Sequence, residues 1–421
     1  MKKTEQKYQT YVQILKEELI PAMGCTEPIS LAYGASLARK VLNHLPTKIV
    51  VEASGSIIKN VKSVIVPHTH HLKGIKAAVC AGIIGGNDDK YLEVLSQIDE
   101  KTKKEIDQYI EKVDFEEHFL DSSKVFDYII TVWNKKEYVK VRISDSHMHV
   151  VCIEKNGKIL QKEKSIIKKE KADRSLLDIK DIYDFITTVD LIDIQEILER
   201  QLDYNYAIAC AGLNDNYGAN IGKVLLKSFG NDVKNKAKAY AAAGSDARMN
   251  GCELPVVINS GSGNQGMTCS LPVIIYAQEL KVSKEKMFRA LALSNLVAIY
   301  EKSGILSAYC GAVSAATGAG AGIAYLYDED YQAVIHTIVN TLANVSGIVC
   351  DGAKASCAAK IASSIDAAIL GYHMYKNGQE FKSGDGLVME DVEATIQSVG
   401  RLGREGMKET NKEIIKMMIH E

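Results

Sequence analysis

Apolar positions in residues 8–20 (YQTYVQILKEELI) recur at helical spacing. Tyr8, Tyr11, Val12, Leu15, Leu19 and Ile20 fall on one face with charges opposite, which predicts an amphipathic helix. Pro21 and Gly24 interrupt it. After Cys25-Thr26-Glu27-Pro28, the run 29–42 is apolar and small enough for a second, closely packed helix. From about residue 47 the period changes: KIVVEA (48–53) and VKSVIV (61–66) predict strands, bounded by Gly55 and Pro67. A polar helical stretch intervenes between 90 and 122, and strands return at 126–133, 138–143 and 148–154. Asn156-Gly157 predicts a two-residue hairpin turn into KILQK. The Lys-rich stretch 155–171, where the lysines alternate with Glu and apolar residues, predicts a solvated edge strand and linker. From about 175 the pattern is helical to the end. The expected class is α+β: a mostly helical domain at 173–421, a smaller α/β domain at 45–172, and an N-terminal helical segment, 1–44, packing on the helical domain.

Composition narrows the function classes. The 421 residues are 46% hydrophobic and 25% charged with a net charge of −2, so no basic surplus points to nucleic acid or anionic lipid. The amino terminus is charged throughout and has no apolar core of signal-peptide length. Nine cysteines, an odd number dispersed through a large chain, argue against a disulfide framework and for a reducing cytoplasm. Ile305 to Tyr325 carries no charge and has the length of a membrane span. It lacks the Leu/Ile/Phe density of a lipid-facing helix, an aromatic belt and a companion span, so it predicts a buried helix and no membrane association. The apolar helices are compatible with a homodimer.

Three groups of residues are candidates for chemistry. Gly261-x-Gly263-x-x-Gly266 matches the dinucleotide fingerprint formally, but Pro272 falls inside the helix that would cradle a pyrophosphate, and no acidic strand end follows. The loop Ser260, Gly261, Ser262, Gly263, Asn264 and Gln265 is suited instead to a carboxylate, through unshielded backbone N–H groups, or is a tight turn between packed elements. His68, His70 and His71 could offer a two-nitrogen metal grip, but no carboxylate or Cys beside them completes a shell; a polar loop is the simpler reading. Among the cysteines, Cys80, Cys152 and Cys210 sit among apolar or small neighbours and read as core, while Cys252 and Cys269 flank the glycine loop.

Cys310, Cys350 and Cys357 adjoin small or polar residues that leave space around sulfur. On one uninterrupted helix Cys350 and Cys357 would be roughly 10 Å apart along the axis. They come closer if Cys350 precedes the helix and Cys357 lies in its first turns, where three thiolates could hold an iron–sulfur cluster. Spacing alone does not specify one. Cys25 directly precedes a predicted helix, whose N-terminal amides favour a thiolate; it reads as a base or nucleophile, or as a buried cysteine at a helix start.

Taken together, GCTEP (24–28), HHLKG (70–74), SDARMNG (245–251), NSGSGNQGMT (259–268), YCGAVSAATGAGAG (309–322), CDGAKASC (350–357) and VGRLGREGM (399–407) resemble the L-cysteine desulfidase family. That family is related to the iron–sulfur L-serine dehydratases, whose alpha chain the helical domain resembles. The likeness runs from about residue 15 to the carboxyl terminus. One departure is that His68, His70 and His71 stand where the family more often has Gly-rich residues. The resemblance implies a 4Fe–4S cluster held by Cys310, Cys350 and Cys357, with Cys25 as general base and the Ser260–Gln265 loop receiving the carboxylate of a small amino-acid substrate. It implies β-elimination of L-cysteine to sulfide, pyruvate and ammonia. The same site could dehydrate L-serine, and a non-catalytic iron–sulfur sensor is the alternative from another class.

Overall fold

The computed structural model of the chain describes residues 1–162, 171–303, 305, 308–327 and 330–419. Of the Lys-rich stretch, positions 163–170 lie outside the described residues. The architecture is α+β. In the first part the elements run α1 (Gln6–Glu18), β1 (Pro21–Met23), α2 (Thr26–Leu42), β2 (Lys48–Ala53), α3 (Gly55–Val61), α4 (Gly74–Gly85), α5 (Glu100–Lys112), β3 (Asp114–Phe119), β4 (Asp127–Asn134), β5 (Glu137–Ser144), β6 (Val150–Lys155) and β7 (Lys158–Lys162). Strands β2 to β7 form one sheet in the order β3-β2-β4-β5-β6-β7; only the β2–β3 pair is parallel. Ile49, Val51 and Ala53 alternate inward on β2, the period-2 pattern of a sheet with one buried face. Helix α2 packs on α4 and on strands β4 and β5. Asn156 (φ 51°) and Gly157 (φ 82°) are both left-handed, as a two-residue primed turn requires.

The strand expected at 61–66 does not form. Residues 55–61 are the helix α3 and Ile65 makes only an isolated bridge to Lys73. A strand absent from the expectation, β3, closes the sheet edge beside β2. Its six residues follow directly on α5 and are half charged, so they lack the apolar alternation that marks a strand.

The remainder is a helical bundle: α6 (Ile179–Thr188), α7 (Gln195–Asn214), α8 (Ile221–Phe229), α9 (Val233–Met249), β8 (Pro255–Val257), α10 (Gly263–Glu279), α11 (Lys284–Lys302), α12 (Gly311–Leu326), α13 (Tyr331–Asn344), α14 (Cys357–Lys376), α15 (Val392–Arg401) and α16 (Lys408–Ile419). The small-residue helix α12 is central, buried against α10, α11, α13 and α14. A Cβ at Gly318 would come within 2.3 Å of the Ser294 carbonyl on α11, so the glycines there set interhelical closeness. Among the described residues no helix is long and apolar enough to cross a membrane. Helix α1 packs on α11, and Tyr8 and Tyr11 set their rings edge-on to Phe185 of α6. The antiparallel pair β1–β8 ties the N-terminal segment to the bundle. The first 44 residues are thus shared: α1 lies on the bundle and α2 on the sheet. Cys80 is buried, but Cys152 and Cys210 are only partly so, as they lie on the less covered faces of β6 and α7.

Asp246 on α9 supports α8. The N-cap of α8, Asn220, is left-handed and makes no side-chain cap. Asp246 Oδ2 instead accepts from Gly222 N at 3.3 Å, while Oδ1 is buried without a partner. Burial pushes its carboxyl up to about 6, against the backbone N–H bonds. With an unfolded value of about 3.9, the folded state binds the proton more tightly. The associated stability is complete below pH of about 4 and lost as pH rises through about 6. Asp246→Asn, which mimics the neutral acid, is therefore expected to raise stability at pH 8 by roughly 2 kcal/mol and to leave it unchanged at pH 4. Thermal melts at the two pH values check this.

Candidate active site

A cavity of about 1130 Å³ opens where the bundle meets the α/β part. Cys25, Ser260, Gly261, Ser262, Asn264, Gln265, Cys310, Cys350 and Cys357 line it. Gly263 stands behind the lining, where a Cβ would meet Arg248 Nε at 2.4 Å. Four helices begin at this cavity. Cys25, Ser262 and Cys310 are the N-cap residues of α2, α10 and α12, and Cys357 is the first residue of α14. None of the four starts has a side-chain cap. At α14 the Cys357 and Ala358 N–H groups are taken by the Lys354 and Ala355 carbonyls, but the open starts of α2, α10 and α12 and their positive dipole ends gather around one space, which suits anions.

The glycine loop is a tight turn: Asn259 and Ser262 exchange backbone hydrogen bonds of 3.1 and 3.0 Å, with Ser260 (φ 49°) and Gly261 (φ 76°) left-handed between them. Asn259 is buried and donates to Asn295 Oδ1 at 2.9 Å, and Asn295 is paired with Gln201. This amide network anchors the turn from behind. Gly266 is required because a Cβ would lie 2.0 Å from the Val257 carbonyl. Pro272 sits within α10.

Arg248, 2% exposed, donates Nε to Gly24 O at 2.8 Å and Nη1 to Asn264 Oδ1 at 3.1 Å; its Nη2 is buried without a partner. A guanidinium with a free donor, beside the open end of α10, is matched to a carboxylate.

Cys25 packs with Val64 and Met249, and its Sγ donates to Glu27 Oε2 at 3.3 Å. Thr26 Oγ1 donates to Gly261 O at 3.0 Å, closing this segment on the glycine turn. Here the structure corrects the expected low thiol pKa. Burial, then the charge of Glu27, push Cys25 well above the ordinary range, with Arg248 opposing. Desolvation outweighs the helix N-terminus. Glu27 is itself half-buried and lines the cavity. Burial raises its pKa, but His147, its own backbone N–H, the Cys25 thiol and Arg248 together bring it below the usual carboxylate value. Asn60 Nδ2 donates to its Oε1 at 3.0 Å. His147, from the β5–β6 loop, lines the cavity, with a buried, unpartnered Nε2 and a pKa lowered by burial.

The three other cysteines lie together. An isolated bridge joins Tyr309 to Val349, Cys310 N donates to Ile348 O at 2.9 Å, and Cys350 N donates to Ala308 O at 2.6 Å. The Cys350 thiol is held down at about 5, chiefly by a hydrogen bond from Cys310 and with support from Lys59; the same contact pushes Cys310 up. Cys357, pushed up by burial, donates to Gly352 O at 3.7 Å. Cys350 precedes the helix that Cys357 begins, so the two are not on one helical face. Among the described residues, no three His, Cys, Asp or Glu side chains stand close enough to hold a single metal ion. A cubane takes each thiolate on a different iron, around a volume rather than a point. Three cysteines on one cavity wall, with Lys59 and Lys302 also lining it, are a donor set that fits such a cluster.

His68, His70 and His71 lie away from the cavity. His68 is buried with Nε2 3.0 Å from Met23 Sδ, and His70 Nδ1 meets Asp107 at 2.5 Å. They form a polar loop. Sequence reasoning about single residues missed Glu27, Lys59, Asn60, His147, Arg248 and Lys302. Glu27 and Arg248 lie within quoted motifs; for the others the signal was a polar side chain in an apolar or turn setting.

A profile described as serine dehydratase alpha chain matches residues 89–416. A UPF0597 protein of Desulfitobacterium hafniense is 56% identical over 425 residues, covering 100% of this chain and 99% of its own. Others are 50% identical in Lachnoclostridium phytofermentans, covering 98% and 100%, and 44% identical in Treponema denticola, covering 98% of each.

Proposed function

The chain belongs to the serine dehydratase alpha-chain family, and on that premise we propose that it is an iron–sulfur lyase that cleaves L-cysteine by β-elimination. The observation that supports this is one cavity holding a base pair, Cys25–Glu27, a carboxylate seat at Arg248 and the start of α10, and three cysteines. Cys310, Cys350 and Cys357 would hold a 4Fe–4S cluster. Bound there, it supplies a Lewis-acidic iron with an open coordination position.

The chain's own groups do the rest. Arg248 Nη2 and the free N–H groups of Asn264 and Gln265 take the substrate carboxylate. Cys25 gives its proton to Glu27 Oε2 as it takes the Cα proton, in one coupled relay that forms no free thiolate, so the two act as one base. The electrons of the Cα–H bond form the Cα=Cβ bond, and the C–S electron pair leaves with sulfur as sulfide. The aminoacrylate tautomerises to an imine, and water hydrolyses it to pyruvate and ammonia. L-serine dehydration in the same site is the second reading, favoured by the description of the matching family profile.

Anaerobic purification, cluster reconstitution, and sulfide and pyruvate assays on L-cysteine and L-serine test both. Cysteine turnover exceeding serine turnover supports the proposal; the reverse supports dehydration; no product from either with an intact cluster overturns both. Arg248→Lys loses the forked geometry and its spare donor. It is expected to raise KM roughly 100-fold, with kcat changed less and iron content unchanged, as read from steady-state kinetics and iron analysis.

A further inference from the structure

The α/β part reaches the cysteines through one short helix, α3. Its Lys59 is only 4% exposed. Nζ donates to Cys350 O at 3.2 Å and to Asn411 Oδ1 of α16 at 2.9 Å, both neutral acceptors. No carboxylate makes an ion pair with it among the described residues. The backbone beside it is equally close: a Cβ at Gly352 (φ 96°) would lie 2.3 Å from the Lys59 carbonyl. The ammonium is thus fixed against the Cys350 segment, with a third donor left over and the cavity in front of it. A buried ammonium without a counter-anion is costly. Cys350, which it touches, and the two other cysteines of the same cavity come from the bundle, so the charge and its complement lie on different parts of the chain.

We propose that Lys59 is the charge partner of the cluster-bearing thiolates, making α3 of the α/β part a required wall of the cluster site. This rests on the reading of Cys310, Cys350 and Cys357 as ligands. A cubane with three thiolates is an anion entering a buried site, and nearby charge sets both its retention and its potential. Lys302 lines the same cavity and donates to Tyr309 O at 3.4 Å; it supplies a second positive charge from the bundle side.

The test compares the wild-type chain with Lys59→Met and Lys59→Gln. Gln keeps a hydrogen-bond donor and removes the charge. Each is reconstituted anaerobically, and three quantities are read: iron and acid-labile sulfide per chain, the rate of cluster bleaching by a ferrous chelator, and the midpoint potential. Melting of the cluster-free chains controls for folding. Both variants are expected to bleach at least 10-fold faster and to have a more negative midpoint, with melting of the cluster-free chain not lowered. Wild-type retention and potential in Lys59→Gln would overturn the charge role, even if Lys59→Met is defective. Should Lys59→Met not fold, Lys59→Gln alone decides. A wild-type chain that takes up no cluster would instead overturn the ligand reading on which this rests.

Discussion

Cys350→Ala is expected to abolish turnover and to lower iron and labile sulfide to less than about a third of the wild-type content after identical reconstitution. The backbone around Cys350 is held without its sulfur. Its N–H donates to Ala308 O, its carbonyl accepts from Lys59, and the neighbouring Tyr309–Val349 bridge ties the two cysteine segments together. Cys350 is only partly buried. Removing one sulfur there is expected to cost about 1 kcal/mol or less in folding stability. The iron loss therefore reads the ligand role and not collapse of the chain. Cys310→Ala and Cys357→Ala are expected to behave alike, because each cysteine of a three-ligand cubane serves a different iron. Iron analysis with visible absorbance, alongside a melt of the cluster-free chain, is the check. Full iron content in Cys350→Ala would remove Cys350 from the ligand set.

Much of this site could be read in the sequence, for a physical reason. The glycine turn, the cysteine before the small-residue helix α12 and the cysteine that opens α14 are local features: each is a loop meeting a helix start. The structure places those starts around one cavity. What escaped is what depends on burial by distant elements. The helix that follows Cys25 predicts an acidic thiol, but Val64 and Met249 enclose it and Glu27 adds a negative charge. Helix α3 escaped because seven residues rich in Ile and Val carry too little periodicity to distinguish helix from strand. Missing it concealed Lys59 and Asn60, consecutive residues that touch the Cys350 segment and Glu27. The histidine loop shows the converse. Three neighbouring histidines suggest a ligand set, yet His68 turns to Met23 and His70 to Asp107.

Cys25→Ala should leave the cluster fully loaded while turnover falls by about three orders of magnitude, the scale on which an essential base acts. Alanine keeps the packing against Val64 and Met249 and removes only the sulfur that bridges Glu27 to the cavity. Cys25→Ser separates two possibilities. If Glu27 alone were the base, a serine hydroxyl in the same place would relay the proton and retain most activity. If the thiol itself takes the Cα proton, serine should be nearly as inactive as alanine, because an alcohol is a far weaker acid than a thiol. Glu27→Gln should then also be impaired, but less than Cys25→Ala. It removes the acceptor for the thiol proton while leaving the thiol in place, and it removes the negative charge that pushes the thiol upward. Burial, the larger cause, still holds the thiol above its ordinary range after the charge is gone, so loss of the acceptor dominates and the optimum should shift toward higher pH, where the thiol loses its proton to solvent instead of to Glu27. Turnover against pH for the three variants, each with iron content measured on the same sample, decides the matter. A Cys25→Ser enzyme with near wild-type turnover would transfer the base role from sulfur to the Glu27 carboxylate.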